Sequence, residues 1–174
     1  MLIYKILSAL LEYPDKELFE NLPAIRKLLD ESVDSDVVEW AALKKFVSWL
    51  ESGDPTEIQA DYVKTFDMTP EHSLHLTHHL FGDDNDRNRG PALIDLGELY
   101  KDYGVKTVTN ELPDYLPLVL EFVALLEDNE AREFLSDANK VLTVLADNLT
   151  KANSPYAPLV SIVKSRATPA LIAA

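Results

Sequence analysis

The chain has 174 residues, enough for one domain with a sizeable core and too few for two of ordinary size. Hydrophobic residues make up 47%, which excludes wholesale disorder. Thirty acidic against 16 basic side chains give a net charge of −14, a field that repels phosphate backbones and anionic lipid heads. Cysteine is absent, so disulfides, thiolate zinc sites and cysteine nucleophiles are all excluded, and a cytoplasmic location is expected.

The apolar residues recur at helical spacing along nearly the whole chain, with no sustained alternation of period two. Leu2, Ile3, Ile6, Leu7, Leu10 and Leu11 form the first stripe, ended by Tyr13-Pro14. Lys5 interrupts it, Glu12 follows it and no basic region precedes it, so it reads as an amphipathic helix rather than a secretory signal. A second stripe runs from Leu18 to Leu29, with Pro23 expected to kink it or to set its start at Leu22. A third runs from about Asp34 to Leu50 and stops at Gly53. Asp54-Pro55 is a cap and first-turn proline for a fourth helix carrying Ile58, Tyr62, Val63 and Phe66.

Thr69-Pro70-Glu71 predicts a fifth helix to about Phe81, followed by a polar loop over Gly82–Gly90 and a helix from Pro91 to Tyr103 closed by Gly104. Pro113-Asp114 predicts a helix to about Leu126, apolar on more than one side and therefore sandwiched in the bundle. Its one charge, Glu121, stands either at the solvent edge or as a buried carboxylate holding a partner. Glu130–Leu149 reads as one long amphipathic helix, Ala157–Val163 as a short last one, and 167–174 as a frayed tail after a domain spanning 1–166. The expected fold is all-α, a single-domain bundle of about seven to nine helices with short loops.

Two constellations invite a chemical reading. His72, His75 and His79 are spaced i, i+3, i+7, so one helix would align them, and a metal could be gathered there with Asp67 or Glu71. That would make the chain a metal-binding helical protein or a metal-dependent hydrolase; the alternative is a recognition patch or a set of local hydrogen bonds. The Asp- and Asn-rich stretch from Gly82 to Gly90 lacks the terminal Glu of a calcium loop and the Gly-Lys-Ser/Thr of a phosphate loop. No nucleophile elbow is present. Residues 51–100 hold eleven acids against Lys64, Arg87 and Arg89, a net of −8 that is either a solvated face or a dock for a basic helix.

Three ordered blocks carry a family likeness: Tyr62-Val63-Lys64-Thr65-Phe66-Asp67, then Ser73-Leu74-His75-Leu76-Thr77-His78-His79 continuing through Arg87, Arg89 and Gly90, then Glu111-Leu112-Pro113-Asp114-Tyr115-Leu116-Pro117 and on to Phe122. With Leu10-Leu11-Glu12-Tyr13-Pro14, they make the chain resemble the NarJ-type chaperones, nitrate reductase molybdenum-cofactor assembly proteins of the redox-enzyme maturation superfamily, over roughly residues 1–165. The resemblance implies a cofactor-free, non-enzymatic, cytoplasmic chaperone. It would bind the unassembled catalytic subunit of a molybdoenzyme, including its N-terminal leader-like segment, and delay membrane attachment until the cofactor is in place. It further implies that Glu111, Pro113 and Asp114 border the groove for that segment, with Tyr62, Phe66, His75, His79, Arg87, Arg89, Glu121 and Tyr115 as further client-binding residues, Tyr115 standing where many relatives have a histidine. Asp114 would either cap a helix or pair with an arginine of the leader. Exposed leucines would serve a homodimer as well as a client.

Overall fold

The computed structural model describes residues 1–32, 37–81, 87–106 and 110–168. Among them run ten α-helices: α1 (Leu2–Leu11), α2 (Lys16–Glu31), α3 (Val37–Ser52), α4 (Pro55–Tyr62), α5 (Leu76–Phe81), α6 (Arg89–Asp102), α7 (Leu116–Val123), α8 (Asp128–Ser136), α9 (Asn139–Lys151) and α10 (Ala157–Arg166). The described residues contain no strand, only an isolated bridge between His75 and Tyr115. The expected all-α class is therefore the observed one. The acidic stretch at 82–86 and the tail beyond Thr168 lie outside the described residues.

Helix pairing follows the apolar stripes. α1 buries Ile3, Tyr4, Ile6, Leu7, Leu10 and Leu11 and lies against α7, α10 and α2. Each such side chain contributes about 1.5–3 kcal/mol when taken from water. α7 buries six of its eight residues between α1 and α8, the sandwiched position its two apolar faces predict. Ser8, buried in α1, donates its hydroxyl to the Pro117 carbonyl at 2.8 Å and so fixes α1 against the first turn of α7. α10 packs on α9 and α3, and Arg166 reaches from it to Glu39 of α3 through two bonds of 2.6 and 3.0 Å, with both side chains nearly buried. Ala167 is itself buried, and its carbonyl accepts from Asn139 at 2.7 Å.

Several boundaries depart from the expected ones. α2 runs unbroken through Pro23, because that ring stands on the exposed face and Asp15 already caps the helix by accepting from Leu18 N. The fourth helix passes at Val63–Asp67 into a π turn. The long helix expected over 130–149 is two helices, α8 and α9, separated at Asp137-Ala138. The helix expected from Pro113 begins at Leu116 instead; Pro117 is its early proline, while Tyr115 is extended with ψ 118°.

The fifth helix departs most. Pro70–His72 is a single 3-10 turn, Ser73–His75 is non-helical with a bend at Leu74, and α5 starts only at Leu76. Leu116 N donates to the Leu74 carbonyl at 2.8 Å and Leu76 N to the Asp114 carbonyl at 3.1 Å. These bonds across the fold satisfy backbone that a helix would otherwise have paired internally, and the helix gives way to them.

Candidate functional site

The short antiparallel contact between residues 74–76 and 114–116 joins the second and third sequence blocks. The first block closes on it through hydroxyls. Tyr62 donates to the Leu11 carbonyl at 3.0 Å, which spends its single proton, so the 3.2 Å contact with Tyr115 has Tyr115 donating and Tyr62 accepting. His75 lies over the Tyr115 ring at 5.3 Å between centroids, and Tyr13 stands edge-on to Tyr62 at 5.6 Å. Behind them Phe66 packs on Tyr62 and Tyr156 and belongs to the core.

The space left among these groups is a pocket of about 280 Å³ lined by Tyr13, Tyr62, Phe66, Asp67, Ser73, Leu74, His75, Glu111 and Tyr115. Its walls are aromatic and its charges are carboxylates. Glu111 sits 3.8 Å from His75 Nε2, with both side chains partly open to solvent. The Tyr115 phenol is pushed up to about 12, first by burial and then by the nearby carboxylates Glu12, Glu111 and Asp67. Burial likewise holds the Tyr62 phenol far above its ordinary value. The Glu12 carboxyl is raised by burial and by the surrounding Glu121, Asp15, Glu111 and Glu17. Within the pocket itself the carboxylates are Asp67 and Glu111.

Asp114 lies beneath this surface, 1% exposed. Its Oδ2 accepts from Thr77 N at 2.9 Å and from the Thr77 hydroxyl at 2.6 Å, and that hydroxyl in turn accepts from Arg89 Nε at 3.0 Å. Thr77 is in the first turn of α5, so Asp114 caps a helix, but one 37 residues away rather than the one that follows it. Pro113 accepts the Tyr100 hydroxyl at 2.7 Å and, with Glu111, borders a second cavity of about 460 Å³. Glu121 is exposed, the solvent-edge placement, on a third cavity of about 450 Å³ that it shares with Glu12, Leu118, Phe122 and Leu125. Arg87 is exposed just before α6.

The histidines are not aligned on one helix. His72 is in the 3-10 turn and donates from Nδ1 to the Thr65 carbonyl at 3.1 Å. His75 is extended on the bridge, and His79, in α5, donates from Nε2 to the Ser73 carbonyl at 2.7 Å. Burial holds the His79 ring below the ordinary histidine value. Among the described residues no group of three His, Asp or Glu side chains is placed to hold a metal ion, so the metal-site reading is not favoured. The helical spacing that motivated it is broken by the non-helical Ser73–His75.

Of the candidate residues, the structure brings Tyr62, Phe66, His75, Glu111 and Tyr115 to one pocket and sets Asp114, Arg89 and His79 in the bonding beneath it. Tyr13 and Asp67 line the same pocket without being expected as client-binding residues, although both fall inside the quoted blocks; an aromatic and a carboxylate next to chosen residues were the available signals. No described helix is long and apolar enough to cross a membrane.

Comparison with known proteins gives a consistent set of likenesses. A family model described as nitrate reductase delta subunit matches residues 30–161. The nitrate reductase molybdenum cofactor assembly chaperone NarJ of Escherichia coli (strain K12) is 36% identical over 166 residues, 95% of this chain and 70% of that protein. A probable chaperone of the same name in Bacillus subtilis (strain 168) is 34% identical over 160 residues, 92% of this chain and 85% of the relative. The probable assembly chaperone NarW of Escherichia coli (strain K12) is 31% identical over 90% of this chain and 64% of its own length.

Proposed function

We propose that this chain, which belongs to the nitrate reductase delta subunit family, is a nitrate reductase molybdenum cofactor assembly chaperone. In this reading it binds the unassembled catalytic subunit in the cytoplasm, including that subunit's N-terminal leader-like segment, and supports cofactor insertion before membrane attachment. It performs no reaction of its own.

The observation that carries the reading is the convergence of the three sequence blocks on one open, acidic, aromatic-walled pocket. Residues as distant as Tyr13, Asp67, His75 and Glu111 meet there, where no core packing requires carboxylates. Such a surface suits a basic segment presenting apolar side chains. Tyr62, His75, Glu111 and Tyr115 would make direct contact, Glu121 and Pro113 would extend the surface into the flanking cavities, and Asp114 and Arg89 would keep it in shape.

The test is the molybdenum content of a nitrate reductase catalytic subunit produced with and without this chain. The reading predicts co-purification of the two polypeptides and a subunit poor in molybdenum when the chaperone is missing. Equal molybdenum content in both preparations would overturn it.

A further inference from the structure

We propose that the pocket between Tyr13, His75, Glu111 and Tyr115 is a receptor for a single guanidinium group, taking one arginine side chain of the bound client segment. The assignment rests on the chaperone reading for the identity of the client, but the chemistry of the pocket stands on its own geometry.

Its size sets the class of occupant. A cube of 280 Å³ has an edge of about 6.5 Å, well under the roughly 10–12 Å width of a helix with its side chains, so one side chain enters and a folded element does not. Its hydrogen-bonding capacity sets the polarity. The Tyr62 proton goes to Leu11 and the Tyr115 proton goes to Tyr62, so the Tyr115 oxygen is left with acceptor capacity alone. Glu111 and Asp67 add carboxylate acceptors, and none of the lining residues is Lys or Arg. These acceptors favour an occupant that brings donors and positive charge and that shares Glu111 with the His75 ring.

The walls separate the two common cations. Tyr115 and His75 lie at 32° to one another and Tyr13 stands edge-on to Tyr62, with the Tyr13 ring nearly half exposed at the rim. A planar guanidinium can lie on such rings while its fork of N–H groups reaches carboxylates at the edge. An ammonium is compact, strongly hydrated and gains less from the stack.

The experiment titrates the isotope-labelled full chain with N-acetylarginine methylamide, its lysine counterpart and the neutral isostere N-acetylcitrulline methylamide, followed by amide shifts. The arginine probe should shift Tyr13, His75 and Tyr115 saturably, at least fivefold more tightly than lysine, with citrulline giving no saturable shift. Glu111→Gln combined with Asp67→Asn should weaken the arginine probe at least fivefold; both carboxylates are exposed, so the melting temperature serves as control for folding. Equal response to arginine and citrulline, or an unaffected double variant, would overturn the proposal. A peptide from the N-terminus of the nitrate reductase catalytic subunit, with each arginine replaced by citrulline in turn, separates the two readings. If the parent peptide binds and every citrulline form binds equally well, the guanidinium receptor falls and the chaperone reading stands. If the arginine probe saturates the pocket and the peptide does not bind, the receptor stands and the assigned client falls.

Discussion

Replacing Asp114 with alanine tests whether this residue supports the pocket from below or meets the client at its surface. In the structure its Oδ2 takes two bonds from Thr77, one from the first turn of α5 and one from a hydroxyl that also receives Arg89. Hydrogen bonds to a charged acceptor contribute about 1.5–3 kcal/mol each. The other oxygen, Oδ1, is buried without a partner, and its removal recovers part of that sum. The lower end therefore applies, about 3 kcal/mol for the pair. For a domain of this size that corresponds to a fall in melting temperature of about 6–12 °C. Thermal unfolding followed by far-ultraviolet circular dichroism reads it directly, and Asp114→Asn, which keeps the shape and one acceptor oxygen, should lose about half as much. A stability loss under about 1 kcal/mol in Asp114→Ala would refute the reasoning. It would move Asp114 from the cap of α5 to the surface.

Glu39→Ala leaves Arg166 nearly buried without the carboxylate oxygen that accepts two of its N–H groups and should cost about 3 kcal/mol by urea denaturation, whereas Glu39→Ala with Arg166→Met should recover part of that loss. Pro23→Ala restores one backbone donor on the exposed face of α2 and should stabilise by about 2–2.6 kcal/mol, the intrinsic helix preference less the lost rigidity of the unfolded chain. The raised Tyr115 phenol contributes stability that is complete below pH 10 and is lost as pH climbs through about 12. Tyrosinate absorbance at alkaline pH should accordingly show Tyr62 and Tyr115 ionising together with unfolding, and ionisation of either in the folded protein at pH 10 would contradict the buried placement.

The bundle was legible because its signals are local. The α1 stripe, the Asp54-Pro55 start of α4 and the apolar faces of α7 each depend on spacing within a few residues, and each element forms where those residues place it. The site was legible only as far as its parts. Tyr62, His75, Glu111 and Tyr115 could be named, but the geometry that unites them depends on residues 74–76 pairing with 114–116, and no glycine or proline within Ser73–His75 marks it as a break in the helix. The same pairing removed the alignment of His72, His75 and His79. Asp114 carried a cap signal that was correct in kind, while its target, α5, lies across the fold. Pro117 was the informative proline of its pair, since it occupies the first turn of α7 and Pro113 remains in the preceding turn.

The acidic surface around the pocket is proposed to receive the client's basic segment. Titration calorimetry with a synthetic N-terminal peptide of the nitrate reductase catalytic subunit tests it most directly, at about 0.01 M and about 1 M salt, between which the screening length falls from about 30 Å to about 3 Å. The account predicts binding in the micromolar range or tighter at low salt, weakened severalfold or more at high salt. No binding at either salt, or an affinity that salt leaves unchanged, would contradict it.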